Sequence, residues 1–371
     1  MIIGLNATCL NDRPSGAKQR FMGIYRGLIK SFPNARFIIY EPKDSSISSW
    51  FINSENITYI RTPIPSEGRL IKFIVGLLYF QIEFRKKKFD FFEGFHLPFF
   101  KPSSGIKLVT IHDIRGMLPS SKLSEKILHK LSLAKAIMDS DHIITVSETM
   151  KEEILKFFPK VSLSVIYNGI NFYDRKAING QNLIEFKDKY NITGEFILAV
   201  GHMESRKNYT KFIESFSILR NKGHDYKLMI IGNDSGEKYK LQILINQLNL
   251  QDQVNLLSGL TDIEVLCAYK LCSLFVFPSI YEGFGIPILE AMAASRPIVL
   301  SDLPVFREIT QNKGVYFDPE NTKSMASAIE IVLNSKIEQE RIINYGNDRI
   351  NSFEYKNLSF QLVELYNSFK K

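Results

Sequence analysis

Three cysteines in 371 residues, Cys9, Cys267 and Cys272, are few, odd in number and not spaced like ligands. They exclude a disulfide framework and a cysteine zinc site, and they fit a reducing, cytosolic compartment. No signal peptide is expected either: "MIIGLNATCL" has no basic leader and no small-residue cleavage site, and reads as a first buried strand. No low-complexity tract interrupts the chain. The uncharged run from Phe73 to Ile82 is far too short to span a bilayer. Helix-turn-helix, zinc-finger and aromatic RNA-binding signatures are lacking, which argues against nucleic acid as a partner.

What is present suits a globular protein with two cores: 45% hydrophobic residues and 23% charged ones. The net charge of +8 is uneven. Residues 1–175 hold 25 lysines and arginines against 16 acids, and the remainder holds 22 against 23. The basic half could attract an anionic membrane surface or a phosphate-bearing substrate.

Short apolar runs alternate with longer amphipathic segments. "MIIGLNA", "RFIIYE", "ITYIRT", "FDFFEGF", "IKLVTIHD", "HIITVS" and "LSVIYNG" read as strands. After a polar stretch near residues 173–182 the rhythm restarts with "EFILAVG", "YKLMIIG", "QVNLLSG", "LFVFPS" and "RPIVLS". Apolar strands separated by helices predict an α/β protein with two doubly wound parallel sheets meeting at a cleft. Ligands in such sheets bind beyond the carboxyl ends of strands.

"YEGFGIPILEAMA", residues 281–293, stands at such an end. Pro287 suits the first turn of a helix that Pro297 stops. Glycines before it leave backbone amides uncovered at a helix N-terminus, where a phosphate or polar sugar edge binds. Glu282 and Glu290 suit hydroxyl recognition. Alternatively, Glu282 caps the helix through its dipole and Glu290 lies on a solvated face.

The arrangement in "EGFGIPILE", between "FVFPSIY" and "AMAASRPIVLSDLPVFREI", resembles the signature of family 4 retaining glycosyltransferases of the GT-B fold. Further matches run in order: "VTIHDIRGMLP", "DHIITVSETMKEEI", "VIYNGI", "ILAVGHMESRKN" and "LMIIGND". The resemblance covers nearly the whole chain, and its details look most like bacterial polysaccharide mannosyltransferases. It implies a GT-B organisation: 1–175 an acceptor-binding Rossmann-like domain, 176–350 a nucleotide-sugar-binding one, and 351–371 a helix returning to brace the first. Closure about a hinge between the lobes would exclude water.

The resemblance also implies roles. Glu282 sits against the transferred sugar and Glu290 binds the ribose hydroxyls. The amides of Gly283, Phe284, Gly285 and Ile286 contact sugar and phosphate. Arg206 and Lys207 clasp the donor diphosphate, His112 approaches the sugar, and Gly16 lies near the diphosphate. Two departures stand out: Ser15 and Gly16 where many relatives carry paired glycines, and Ala294 and Ser295 where a small residue and a glycine are common. Physical chemistry supports the basic pair independently, since cations at a strand's carboxyl end stabilise a departing diphosphate. As the first turn of a solvated helix they would oppose its dipole. His112 also has a plain reading as a hydrogen-bonded structural residue, with Asp113 capping the adjoining segment. His202 stays open through its proximity to Arg206.

"DSD" at 139–141 spells a metal-binding pattern of another glycosyltransferase fold, but here it joins helix to strand and reads as turn and surface. No catalytic metal and no other cofactor is expected. Retention, as the family shows, lets the leaving phosphate take the acceptor proton, so no separate base is required. The expected reaction moves a hexose from a nucleotide sugar, GDP-mannose ahead of a UDP-sugar, to a saccharide acceptor carried on a lipid. Residues 70–88 combine an apolar segment with Arg85 to Lys88 and read either as a membrane-surface element or as a buried helix followed by a solvated charged turn. The first places the protein peripherally on the inner face of the cell membrane. Competing readings are a nucleotide-sugar epimerase or phosphorylase on a similar fold, against which the "EGFGIPILE" and "ESRKN" pairing speaks, and a non-enzymatic basic protein binding through salt-sensitive phosphate contacts.

Overall fold

The computed structural model describes residues 1–12, 15–95, 97–117, 123–170 and 178–370. They form two compact units, Met1–Gly169 with Tyr355–Lys371, and Ile170–Glu354. The first boundary expected from sequence, after residue 175, falls among residues 171–177, outside the described residues.

The first unit runs β1 (Ile2–Asn6), α1 (Gly16–Ser31), β2 (Arg36–Glu41), β3 (Ile57–Arg61), α2 (Arg69–Lys86), β4 (Phe91–Gly94), β5 (Ile106–Ile111), α3 (Leu123–Asp139), β6 (His142–Thr145), α4 (Glu148–Phe157) and β7 (Leu163–Val165). Its sheet is parallel, in the order β3-β2-β1-β4-β5-β6-β7. Successive side chains of a strand point to opposite faces. Phe37, Ile39, Phe91 and Phe95 accordingly join the core under α1, whereas Tyr40 and Phe92 meet Phe80 and Phe84 of α2. Helix α2 takes in Arg85 and Lys86, so two of the four cations belong to its last turn, where they complement the helix dipole. They are solvent-exposed, as the reading of a solvated charged turn has them, but they lie on the helix and not in a turn after it.

The second unit runs α5 (Gly180–Lys189), β8 (Phe196–Val200), α6 (Tyr209–Asn221), β9 (Lys227–Ile231), α7 (Lys238–Gln247), β10 (Val254–Leu257), α8 (Asp262–Leu271), β11 (Leu274–Phe277), α9 (Ile286–Ala293), β12 (Ile298–Ser301), α10 (Pro304–Thr310), β13 (Val315–Phe317), α11 (Thr322–Asn334) and α12 (Lys336–Arg349). Its parallel sheet is ordered β10-β9-β8-β11-β12-β13. Strand β13 was not anticipated; only three residues long, it exists through pairing with β12. A 3-10 turn, Ile350–Phe353, closes the unit with the Phe353 ring edge-on to Phe284.

Helix α13 (Tyr355–Ser368) then returns to the first unit. It buries Tyr355, Leu358, Leu362 and Tyr366 in the core beside α1. Tyr366 donates a hydrogen bond to Glu93 Oε2 at 2.8 Å, while Tyr25 and Thr110 donate to Oε1.

Candidate functional site

In the second sheet the chain winds one way from β8 through β9 to β10 and the other way from β11 through β12 to β13. The winding reverses between β8 and β11, the place where doubly wound sheets leave a crevice beyond their carboxyl ends. The two loops that emerge there are residues 201–208 and 278–285, and they carry most of the residues singled out from sequence.

The loop after β8 starts at Gly201, with φ +150°; a Cβ there would meet Lys207 Cε at 2.9 Å. The neighbouring loop after β9 is as close: a Cβ on Gly232 would stand 2.0 Å from the Gly201 carbonyl oxygen. Only bare backbone fits between these loops. The chain then makes a single 3-10 turn, Ser205–Lys207, and Asn208 takes a left-handed conformation before α6 begins. Arg206 and Lys207 are thereby set ahead of the helix rather than on it.

Both cations turn to Glu282. Arg206 Nη1 is 2.7 Å and Lys207 Nζ 2.6 Å from Glu282 Oε1, and Ser279 Oγ donates to the same oxygen at 2.8 Å. Arg206 Nη2 pairs with Glu204 at 2.7 Å, and its Nη1 donates to the Tyr281 carbonyl at 3.2 Å. The backbone reinforces the alignment, since Ile280 N–H donates to the Arg206 carbonyl at 2.9 Å. Lys207 lies 4.7 Å over the Phe277 ring and is 6% exposed. Burial would raise the Glu282 carboxyl, but Lys207 and Arg206 hold it at about 2. Lys207 is drawn below the ordinary lysine value by burial, which Glu282 only partly offsets.

Gly285 caps α9 at φ +130°, where an added Cβ would press Ile288 and Phe306, and Pro287 occupies the first turn. The side chains of Phe284 and Ile286 are buried. Glu290 lies one turn further along α9, and its Oε2 accepts from the Tyr269 hydroxyl at 2.8 Å. Tyr269 is fully buried, and burial together with Glu290 keeps its phenol protonated. The solvated-face reading of Glu290 therefore does not hold.

The remaining two residues belong to the first unit, where the winding likewise reverses, between β1 and β4. Gly16 opens α1, with Ser15 accepting from the Lys18 N–H as N-cap. The serine that departs from the paired glycines of relatives is thus a helix cap. His112 follows β5; its Nε2 is 3.1 Å from the Phe95 carbonyl and its ring is edge-on to Phe95. Asp113 accepts from the Arg115 N–H, the capping role anticipated for it. The acids of "DSD" are engaged by lysines, Asp139 by Lys135 and Lys101, Asp141 by Lys107.

Sequence reasoning did not single out Glu204, Ser279 or Tyr269. Glu204 and Ser279 lie inside motifs already quoted, close to Arg206 and Glu282. Tyr269 had no local signal, being on α8, 21 residues before its partner.

The two parallel Rossmann-like sheets have the GT-B fold. A family model described as "Glycosyl transferases group 1" matches residues 181–349, so that segment is a group 1 glycosyl transferase domain. The chain is 34% identical over 224 residues to the O-antigen chain mannosyltransferase RfbU of Salmonella typhimurium, covering 60% of this chain and 59% of that protein. It is 26% identical over 274 residues to the capsular polysaccharide biosynthesis glycosyltransferase CapM of Staphylococcus aureus, covering 71% of each. The match thus spans about six-tenths of the first relative's length. Among solved structures, a sucrose-phosphate synthase from Thermosynechococcus elongatus shares the fold with a TM-score of 0.78 at 17% identity, over 99% of this chain and 98% of that one.

Proposed function

We propose that the chain is a retaining hexosyltransferase that takes a hexose from a nucleotide sugar, GDP-mannose ahead of a UDP-sugar, and passes it to a lipid-linked saccharide. The setting is synthesis of a bacterial surface polysaccharide, O-antigen or capsule, at the inner face of the cell membrane. The observation that carries this reading is the convergence of Arg206, Lys207 and Ser279 on one oxygen of Glu282, beside the amide-bearing start of α9. Such a cluster holds two cations where a diphosphate would gain charge. It also leaves the second carboxylate oxygen to accept from a sugar hydroxyl.

In this reading Arg206, more exposed than Lys207, swings from Glu204 to the arriving diphosphate. Lys207 stays with Glu282 and fixes its orientation. As the glycosidic bond breaks, the diphosphate gains negative charge that the two cations stabilise without a metal ion, and Glu282 supports the cation-like sugar. Glu290, oriented by Tyr269, holds the ribose hydroxyls. Amides 283–286 contact sugar and phosphate, His112 serves the sugar and Gly16 the diphosphate. The leaving phosphate oxygen takes the acceptor proton. The relatives named for mannosyl transfer support mannose.

The test is thermal shift against a panel of GDP- and UDP-sugars, followed by assay of released nucleotide with lipid-linked acceptors, with and without EDTA. One nucleotide sugar is expected to raise the melting temperature, turnover to survive EDTA, and Arg206→Ala to lose about 10²-fold in kcat. If no nucleotide sugar shifts melting and none is consumed, the reading fails.

A further inference from the structure

The N-terminal unit leaves one helix face uncovered. Six large apolar side chains of α2 are exposed, Leu70, Ile71, Ile74, Leu77, Leu78 and Ile82, five of them by about half or more. At 3.6 residues per turn these six fall within an arc of roughly 140°. The opposite side of α2 packs so tightly that a Cβ on Gly76 would lie 2.2 Å from the Phe100 ring, with Phe80 stacked on Phe84 and Phe100. The exposed stripe is therefore a second apolar face on a helix already satisfied on its first. Soluble proteins seldom show so many contiguous apolar groups without a partner.

Helix α3 extends the pattern. The crossovers β3→β4 and β5→β6 advance in the same direction across the parallel sheet. Right-handed connection puts α2 and α3 on the same face. Residues 97–101 join the two, since Phe100 packs on α2 while Lys101 pairs with Asp139 at the end of α3. On α3, Ile127, Leu131 and Met138 are exposed at spacings of four and seven, one helical face.

Among the described residues, cations dominate the exposed charge around these faces. Arg85 and Lys86 are exposed at the C-terminal end of the α2 stripe, followed by exposed Lys88, and Lys130 and Lys135 are exposed on α3. The nearby acids are already occupied: Glu83 by Lys87 at 2.7 Å and by the Tyr40 hydroxyl, Asp139 by Lys101 and Lys135. We infer that α2, with α3 beside it, lies in the headgroup layer of an anionic lipid membrane, its leucines and isoleucines at the acyl boundary and its cations among the phosphates. No helix among the described residues is long and apolar enough to cross a bilayer, so contact of this kind is peripheral. A second copy of the chain fits the face poorly, because α2 carries cations at both ends, Arg69 and Lys72 as well as Arg85 and Lys86, so that pairing like faces in either direction brings cations together. An anionic surface complements them, each cation strengthening binding about fivefold.

This deepens the membrane part of the proposed function by naming the surface, and it stands on the first unit alone. The test is co-sedimentation of the full chain with vesicles of equimolar phosphatidylglycerol and phosphatidylcholine, and with pure phosphatidylcholine. The wild type is expected to sediment with the anionic vesicles only. Leu78→Gln with Ile82→Gln, and separately Arg85→Gln with Lys86→Gln, are expected to weaken partitioning by about tenfold or more. Both pairs are exposed, so melting temperature and the response to nucleotide sugars stay at wild-type values. Wild type that ignores anionic vesicles overturns the inference, as does undiminished binding by both variants. Light scattering that shows a dimer dissolved by Leu78→Gln with Ile82→Gln assigns the face to a second copy instead. A nucleotide-sugar response without lipid binding removes only the membrane contact; lipid binding without any such response leaves this surface standing and removes the transferase reading.

Discussion

An ammonium that is 6% exposed keeps its charge only beside a counter-ion, and for Lys207 that partner is Glu282, 2.6 Å away. The pair is costly to bury and more costly to break. Glu282→Gln leaves Lys207 facing the Phe277 ring without a carboxylate, and urea unfolding is expected to show a loss of about 3 kcal/mol. Lys207→Met added to Glu282→Gln removes the stranded charge and should restore part of that loss. Equal stability of the single variant and wild type would show the pair to be worth nothing. The pH dependence has a definite sign. The Glu282 carboxyl lies below its ordinary value of 4.5, at about 2, so its contribution is complete above about 4.5 and is lost as pH falls towards 2. At this scale much was legible: of the five charges in "ESRKN" and "EGFGIPILE", all but Glu204 were singled out. That Lys207 would bind Glu282 at rest was not, because no sequence spacing relates residues 75 positions apart.

Helices α1 and α13 approach closely. A Cβ on Gly23 would overlap the Tyr355 ring at 2.1 Å, and one on Gly27 would sit 2.1 Å from Ser359 Oγ. Glycines four apart lie on one side of a helix and let another helix come close. Gly23→Leu should therefore displace α13; the expected result is a melting temperature lowered by several degrees, with limited proteolysis now removing the C-terminal helix. An unchanged protease pattern would mean that α13 is held from elsewhere, for example by Tyr366 on Glu93. Helix α9 shows the converse case. Ser295 adopts φ +55° just past its end, and Arg296 N–H donates back to the Ala291 carbonyl at 3.0 Å. The helix thus closes at Ala293, before Pro297 is reached. A non-glycine residue there is strained. The Ser295 hydroxyl, donating to Asn347 at 2.9 Å, helps hold it.

For the whole molecule, the two units differ in how the chain builds them. Ile170–Glu354 is one continuous stretch, whereas the first unit needs both Met1–Gly169 and Tyr355–Lys371. Expressed alone, residues 170–354 should unfold cooperatively and keep the Lys207–Glu282 pair, while a chain ending at Glu354 should lose stability in its first unit. Calorimetry of both proteins checks this; a fragment 170–354 that shows no transition would refute it. The rhythm of apolar runs was enough to place twelve of the thirteen strands found among the described residues in two parallel sheets, because burial on both faces demands continuous apolar segments whatever their partners. Local chemistry was likewise enough for the glycine-rich entry to α9 and the basic turn after β8, since backbone conformation and dipole act over a few residues. Tertiary structure alone decided the rest. Strand β13 owes its existence to β12, Glu290 its orientation to Tyr269, and the apolar stripe of α2 its exposure to the fact that Phe80 and Phe84 had already filled the sheet face beneath. Each depends on which distant surface a residue meets, and an apolar helix can read the same in sequence whether one of its faces is covered or both are.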